Sequence, residues 1–222
     1  MKNILVIAPH PDDEVLGCGG TIAKHAKTGD EVYLCIVTKA YPPRWPEEEV
    51  KKRKEEVFSA SNILGIRKTY FLDFPTVKLD TVPQEELNES INQVVGEIQP
   101  EIIYLPHRGD VNTDHRLVFD AALVAIRPKP GSTIRKVLCY QTLSETEWGA
   151  PLVLNAFVPN VYVDISETLE TKLAAMSTYK LEIKEFPHPR SLEAISALAR
   201  VGGSTIGVPA AESFIMIREI IA

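Results

Sequence analysis

Pro9-His10-Pro11-Asp12-Asp13-Glu14 brings one imidazole and three carboxylates together in a run of adjacent residues. The prolines flanking His10 stiffen the segment, so its side chains are presented in a fixed arrangement. A plainer reading is a turn in which Asp12 or Asp13 caps the next helix. A second polar cluster runs His107-Arg108-Gly109-Asp110-Val111-Asn112-Thr113-Asp114-His115-Arg116; alone, it reads equally well as a solvated loop whose Asp114 opens a helix. Taken together the clusters supply His10, Asp13 and His115, a set of two histidines and one carboxylate. Three such ligands leave a fourth tetrahedral position open, the arrangement of a catalytic rather than a structural zinc site. The cofactor expected is Zn2+, which activates a water and polarises a carbonyl. Asp12, not needed as a ligand, is the candidate general base. None of Cys18, Cys35 and Cys139 lies in a CxxC spacing, which argues against a closed structural zinc site.

For the two clusters to meet, the chain must bring residues far apart in sequence to one place. Apolar runs at Ile4–Ala8, Val32–Val37, Thr69–Leu72, Ile102–Leu105 and Lys136–Tyr140 read as buried strands. Between them, Glu14–Lys27, Glu47–Leu64, Gln84–Ile98 and Asp114–Ile126 carry apolar positions at helical period. This alternation predicts an α/β fold: a Rossmann-like, doubly wound, mainly parallel sheet with helices on both faces. With strand order 3-2-1-4-5, the first and fourth strands are neighbours, and the crevice at their carboxyl ends is where ligands bind. The two polar clusters follow those two strands. Beyond Tyr140 the pattern loosens. Val161–Val163 reads as a short strand, Glu167–Lys184 and Ser191–Arg200 as helices, and Ser213–Ile220 as a strand or a helix. All of 1–222 is expected to form one domain.

These clusters resemble the LmbE-like, or PIG-L, family of zinc deacetylases, whose first motif reads (A/P)HPDDE and whose second reads HxDH. The resemblance extends through Leu16-Gly17-Cys18-Gly19-Gly20-Thr21, through Arg53, Glu56, Ala60, Leu64 and Gly65, and through Pro187-His188-Pro189-Arg190-Ser191 and Ala211-Glu212-Ser213-Phe214. It implies His10, Asp13 and His115 as zinc ligands, Asp12 as the base, Arg53 as a sugar-binding side chain and Asp114 as an orienting carboxylate. It implies removal of an acetyl group from an N-acetylglucosamine-type amino sugar, and a homo-oligomer, trimer or hexamer, as assembly. Two positions depart from the family pattern. Asn112 stands where relatives carry the first histidine of HxDH, which stabilises the oxyanion or protonates the leaving amine. Asn112 donates a hydrogen bond but delivers no proton, and His107 or Arg116 is the side chain expected to compensate. Phe74-Pro75-Thr76 stands where many relatives have an aspartate against a sugar hydroxyl.

A net charge of −6 gives no electrostatic basis for binding nucleic acid. No apolar run reaches the roughly 18 residues of a membrane span, and no signal segment is evident, so a cytoplasmic protein is expected. The three sparse cysteines read as buried free thiols. The glycines at 17, 19 and 20 fit neither GxGxxG nor a P-loop, and close packing of the first helix explains them. His25 reads as a surface residue, His188 as a rim residue, and Trp45 and Trp148 as packing residues. Three other readings remain open: a non-haem iron oxygenase using the same ligand set, a zinc hydrolase of another small amide or ester, and a non-catalytic sugar- or nucleotide-binding module.

Overall fold

The computed structural model describes residues 1–221 and has one seven-stranded sheet in the order β3-β2-β1-β4-β5-β7-β6. β1 (Asn3–Ala8), β2 (Glu31–Lys39), β3 (Lys68–Pro75), β4 (Ile102–Pro106) and β5 (Lys136–Tyr140) are parallel. β1 lies between β2 and β4 and is buried on both faces, which is why its sequence is an unbroken apolar run. Ile4, Val6 and Ala8 face one layer, and Leu5 and Ile7 the other. α1 (Asp13–Lys27), α2 (Glu47–Leu64), α5 (Leu169–Met176) and α6 (Leu192–Ile206) cover the first face. α3 (Gln84–Ile98) and α4 (Thr113–Ala125) cover the second through Leu87, Ile91, Val94, Val118 and Ala122. The expected order of the first five strands is therefore found. No helix among the described residues is long and apolar enough to cross a membrane.

The C-terminal third departs from expectation in detail. β6 (Val161–Asp164) and β7 (Ala211–Glu219) extend the sheet antiparallel, β7 pairing with both β5 and β6, so the segment expected over Ser213–Ile220 is a strand, ending at Glu219. The helix expected over Glu167–Lys184 is only α5, because the chain turns after Met176 to bury Tyr179 beside Glu14. α6 runs past Arg200 to Ile206, where Gly207 ends it in the left-handed conformation. His25 is not a surface residue: its ring bridges Asp30 and the Tyr104 hydroxyl, at 2.9 and 3.0 Å.

α1 breaks at Cys18, whose φ of −146° is not helical. An unbroken helix would pair the Gly20 N–H with the Leu16 carbonyl. Here the Glu212 carboxylate accepts from the N–H groups of Gly20 and Thr21, at 2.9 and 2.7 Å, and Lys172 Nζ donates to the Leu16 carbonyl at 2.8 Å. Lys172 and Glu212, both buried, pair at 2.6 Å. The break is thus a side-chain insertion into the helix ladder, with the freed Gly20 and Thr21 N–H groups and the Leu16 carbonyl satisfied by Glu212 and Lys172. Gly17, next to it, sits so close to β5 that a Cβ would lie 2.2 Å from the Tyr140 ring.

Candidate metal centre

The first motif turns directly off β1. Thr38 of β2 donates both its amide and its hydroxyl to the Pro9 carbonyl, at 3.0 and 2.8 Å, which pins the turn to the sheet. Asp12 precedes α1 with φ 99°, a left-handed backbone that Asp tolerates better than most residues. Its N–H donates to Glu14 at 3.1 Å, and its own carboxylate makes no capping bond. Asp13 instead folds back to accept the His10 N–H at 2.8 Å. The plain capping reading of this segment does not hold. The second motif opens α4, where Asn112 caps the helix by accepting the Asp114 N–H at 3.1 Å, and Asp114 and His115 follow in the first turn.

β1 and β4 are paired, so the two motifs meet at their carboxyl ends. His10 Nδ1, Asp13 Oδ2 and His115 Nε2 form a triangle whose three sides are each 3.3 Å. Tetrahedral ligands at 2.0–2.1 Å from one ion stand about 3.3 Å apart. The three side chains therefore fit a single cation of zinc size with a further coordination position. Each ring is held from behind by a carboxylate: Asp114 Oδ2 lies 3.0 Å from His10 Nε2, and Asp110 Oδ2 lies 2.8 Å from His115 Nδ1. Those carboxylates are themselves fixed, Asp114 by the Val77 N–H at 2.7 Å and Asp110 by the Thr146 hydroxyl at 2.7 Å. This is the outer shell that orients imidazole ligands in metal proteins.

Electrostatics point the same way. Burial alone would pull His10 down, but Asp114 and Asp13 lift it to about 9. Burial likewise opposes charge on His115, and Asp13 and Asp110 raise it well above the ordinary histidine range. Burial would raise Asp13, yet His115 and His10 hold it below the usual carboxylate range. Three carboxylates around two imidazoles create a pocket of negative potential that favours a cation.

A cavity of about 400 Å³ opens onto this centre. His10, Asp12, Asn112, Arg53, Glu145 and Arg190 reach it, and Trp45 and Phe71 form part of an apolar wall. Burial holds the Asp12 carboxyl well above the usual carboxylate range, the Arg190 guanidinium offsetting only part of that rise. Arg53 lines the cavity from α2, held by Glu49 at 3.0 Å and by Glu182. The two side chains expected to compensate for Asn112 are elsewhere. His107 turns its Nε2 to the Asn155 carbonyl at 2.9 Å, and Arg116 is exposed outside the cavity lining. Asn112 alone of the three faces the cavity, with its amide nitrogen as the free donor.

Sequence reasoning gave no role to Asp110, Glu145, Glu182 or Arg190. Asp110 had a signal, since a ligating histidine calls for a carboxylate behind its second nitrogen. Arg190 had only its place in the family-like stretch 187–191, with nothing to name its partner: it reaches Asp12, at 3.1 Å, from 178 positions away.

A family profile described as PIG-L: GlcNAc-PI de-N-acetylase matches residues 5–126. The chain is 31% identical to "Uncharacterized deacetylase YaiS" of Escherichia coli (strain K12), over 81% of this chain and 91% of that protein. It is 30% identical to a diacetylchitobiose deacetylase of Thermococcus kodakarensis, over 83% of this chain and 72% of that one. Among solved structures, the conserved protein TT1542 from Thermus thermophilus superposes with a TM-score of 0.79 at 28% identity, covering 100% of this chain and 97% of the other.

Proposed function

The chain belongs to the PIG-L family of deacetylases, and from that premise we propose that it is a zinc-dependent N-deacetylase of N-acetylglucosamine-type amino sugars, with residues 1–222 acting as one catalytic domain. The observation that carries this reading is the triangle of His10, Asp13 and His115, its sides each 3.3 Å, at the foot of the cavity. Bound there, the ion would supply Lewis-acid polarisation and lower the pKa of a water toward 7.

The protein's own groups do the rest. Asp12 faces the cavity beside this centre with a carboxylate free of capping duty, and it accepts the proton of the attacking water. The water oxygen adds to the acetamide carbonyl, and the Asn112 amide is the side-chain donor available to the developing oxyanion. With no histidine at position 112, Asp12 returns its proton to the amine as the C–N bond breaks, releasing acetate and free amino sugar. Asp110 and Asp114 keep both rings in register throughout. An apolar wall with a few converging polar groups suits a saccharide, and a diacetylchitobiose deacetylase among the relatives supports that class.

The test is acetate release from a panel of N-acetylated sugars by zinc-loaded and chelated protein. Release by the loaded form, lost on chelation and restored by zinc, is expected. A fully metallated protein that releases no acetate from any of them overturns the reading.

A further inference from the structure

The Asp12 carboxylate is buried in the cavity wall, and among the described residues Arg190 is its only side-chain hydrogen-bond partner. A base left free to rotate would seldom meet its water in a reactive geometry, so something must hold it. Arg190 Nη1 donates to Asp12 Oδ2 at 3.1 Å and to Glu182 Oε2 at 2.7 Å. Its Nε donates to the Ser144 hydroxyl at 2.7 Å, and its Nη2 reaches Glu145 at 3.4 Å. A planar fork can satisfy partners on several sides at once, which a lysine ammonium on a flexible stem cannot do as well.

The support of Arg190 is itself rigid. Its N–H donates to His188 Nδ1 at 3.0 Å, the Ser191 N–H donates to the His188 carbonyl at 3.0 Å, and the Ser191 hydroxyl caps α6. Glu182 completes the chain outward, since its other oxygen accepts from Arg53 on α2. Charges of alternating sign thus run from Asp12 through Arg190 and Glu182 to Arg53, along the wall of one cavity.

We propose that Arg190 is a positioning residue for this site: it holds the Asp12 carboxylate toward the cavity and, through Glu182, couples it to Arg53. This rests on the reading of Asp12 as the base. Arg190→Ala is expected to stay folded and keep its metal, with a lowered Tm, while kcat falls about 10²-fold, as for an active group misplaced by an ångström, with KM little changed. Arg53→Ala should instead raise KM. Arg190→Lys should recover only a small part of the lost rate.

Added guanidinium at non-denaturing concentration is the decisive probe. It should restore turnover to Arg190→Ala and not to Arg190→Ala/Asp12→Ala. Calorimetry should show guanidinium binding to Arg190→Ala that disappears in the double variant, a readout that needs no substrate. Wild-type kcat in metal-loaded Arg190→Ala overturns the proposal, as does guanidinium binding that persists without Asp12. Failure of the wild type to deacetylate any sugar would count against the functional reading alone, and the calorimetry would still decide the role of Arg190.

Discussion

Asp110 Oδ2 lies 2.8 Å from His115 Nδ1, and both side chains are fully buried. The bond fixes which nitrogen of His115 faces Asp13, so on the proposed reading a residue outside the ligand triangle governs how well an ion is held. Asp110→Asn should weaken zinc affinity about 10- to 100-fold, the usual cost of losing such a partner. His115→Ala should abolish stoichiometric binding. Competition against a graded set of chelators measures both, and unchanged affinity in Asp110→Asn would remove the assigned role.

Asp12→Asn should separate metal binding from turnover. Zinc content stays stoichiometric, because Asp12 lies outside the ligand triangle, while kcat falls about 10²- to 10⁴-fold with the loss of proton transfer. Metal analysis beside an acetate assay checks it. Full activity with full metal content would exclude Asp12 as the base.

Asn112 combines two jobs that can be pulled apart. Its oxygen caps α4, which leaves its amide nitrogen as the donor it can offer to the cavity it lines. Asn112→Asp keeps the cap acceptor and loses the donor, so it should melt like the wild type with kcat lowered about 10²- to 10³-fold. Asn112→Ala should lose the same activity and about 1 kcal/mol of stability as well. Equal melting of the two variants would mean that the cap contributes nothing.

Breaking the buried Lys172–Glu212 pair should destabilise strongly. Lys172→Met leaves a buried carboxylate unpaired, at a cost of about 3–5 kcal/mol, which corresponds to a fall in Tm on the order of 10 °C for a chain of this size. An isolated buried pair is often replaceable by apolar residues at little cost. Here Lys172→Met/Glu212→Leu should not recover, because the Leu16 carbonyl and the Gly20 and Thr21 N–H groups lose their partners too. Thermal melts of both variants test this, and recovery in the double variant would show the helix break to be self-sufficient.

The cysteines should be silent in the native state. Cys18, Cys35 and Cys139 are all buried and unpaired, and burial raises each thiol, Cys35 to about 12. With so little thiolate, alkylation at neutral pH should proceed only on unfolding. Mass spectrometry after brief iodoacetamide treatment checks this, and rapid native labelling at any of the three would contradict their placement.

What was legible in the sequence was whatever short-range pattern or motif density determines. Strands such as Ile4–Ala8 are buried on both faces and show it as unbroken apolar runs, so the parallel half of the sheet and the meeting of the two motifs could be read directly. The C-terminal third is set by tertiary demand. Gly202 and Gly203 look like helix stops, yet α6 passes through them, because a Cβ on Gly202 would lie 2.6 Å from the Ala211 carbonyl of β7. His25 resembles a surface histidine until Tyr104, far along the chain, arrives beneath it. Arg190 stood inside the family-like stretch 187–191, but its role could not be read there, because an arginine in a loop carries no sign of the carboxylate it will meet.

The joint in α1 bears on how far the protein can be pared down. Residues 5–126, the stretch matching the family profile, contain all three candidate metal ligands, the candidate base and both rear carboxylates. They do not contain Lys172 or Glu212, which hold the backbone of the helix bearing Asp13 on either side of its break at Cys18. An excised N-terminal half would therefore hold every donor atom and still lack the brace across the broken helix that carries one of them. The later part of the chain, without donating a single ligand, is as much a component of the centre as the motif at its start.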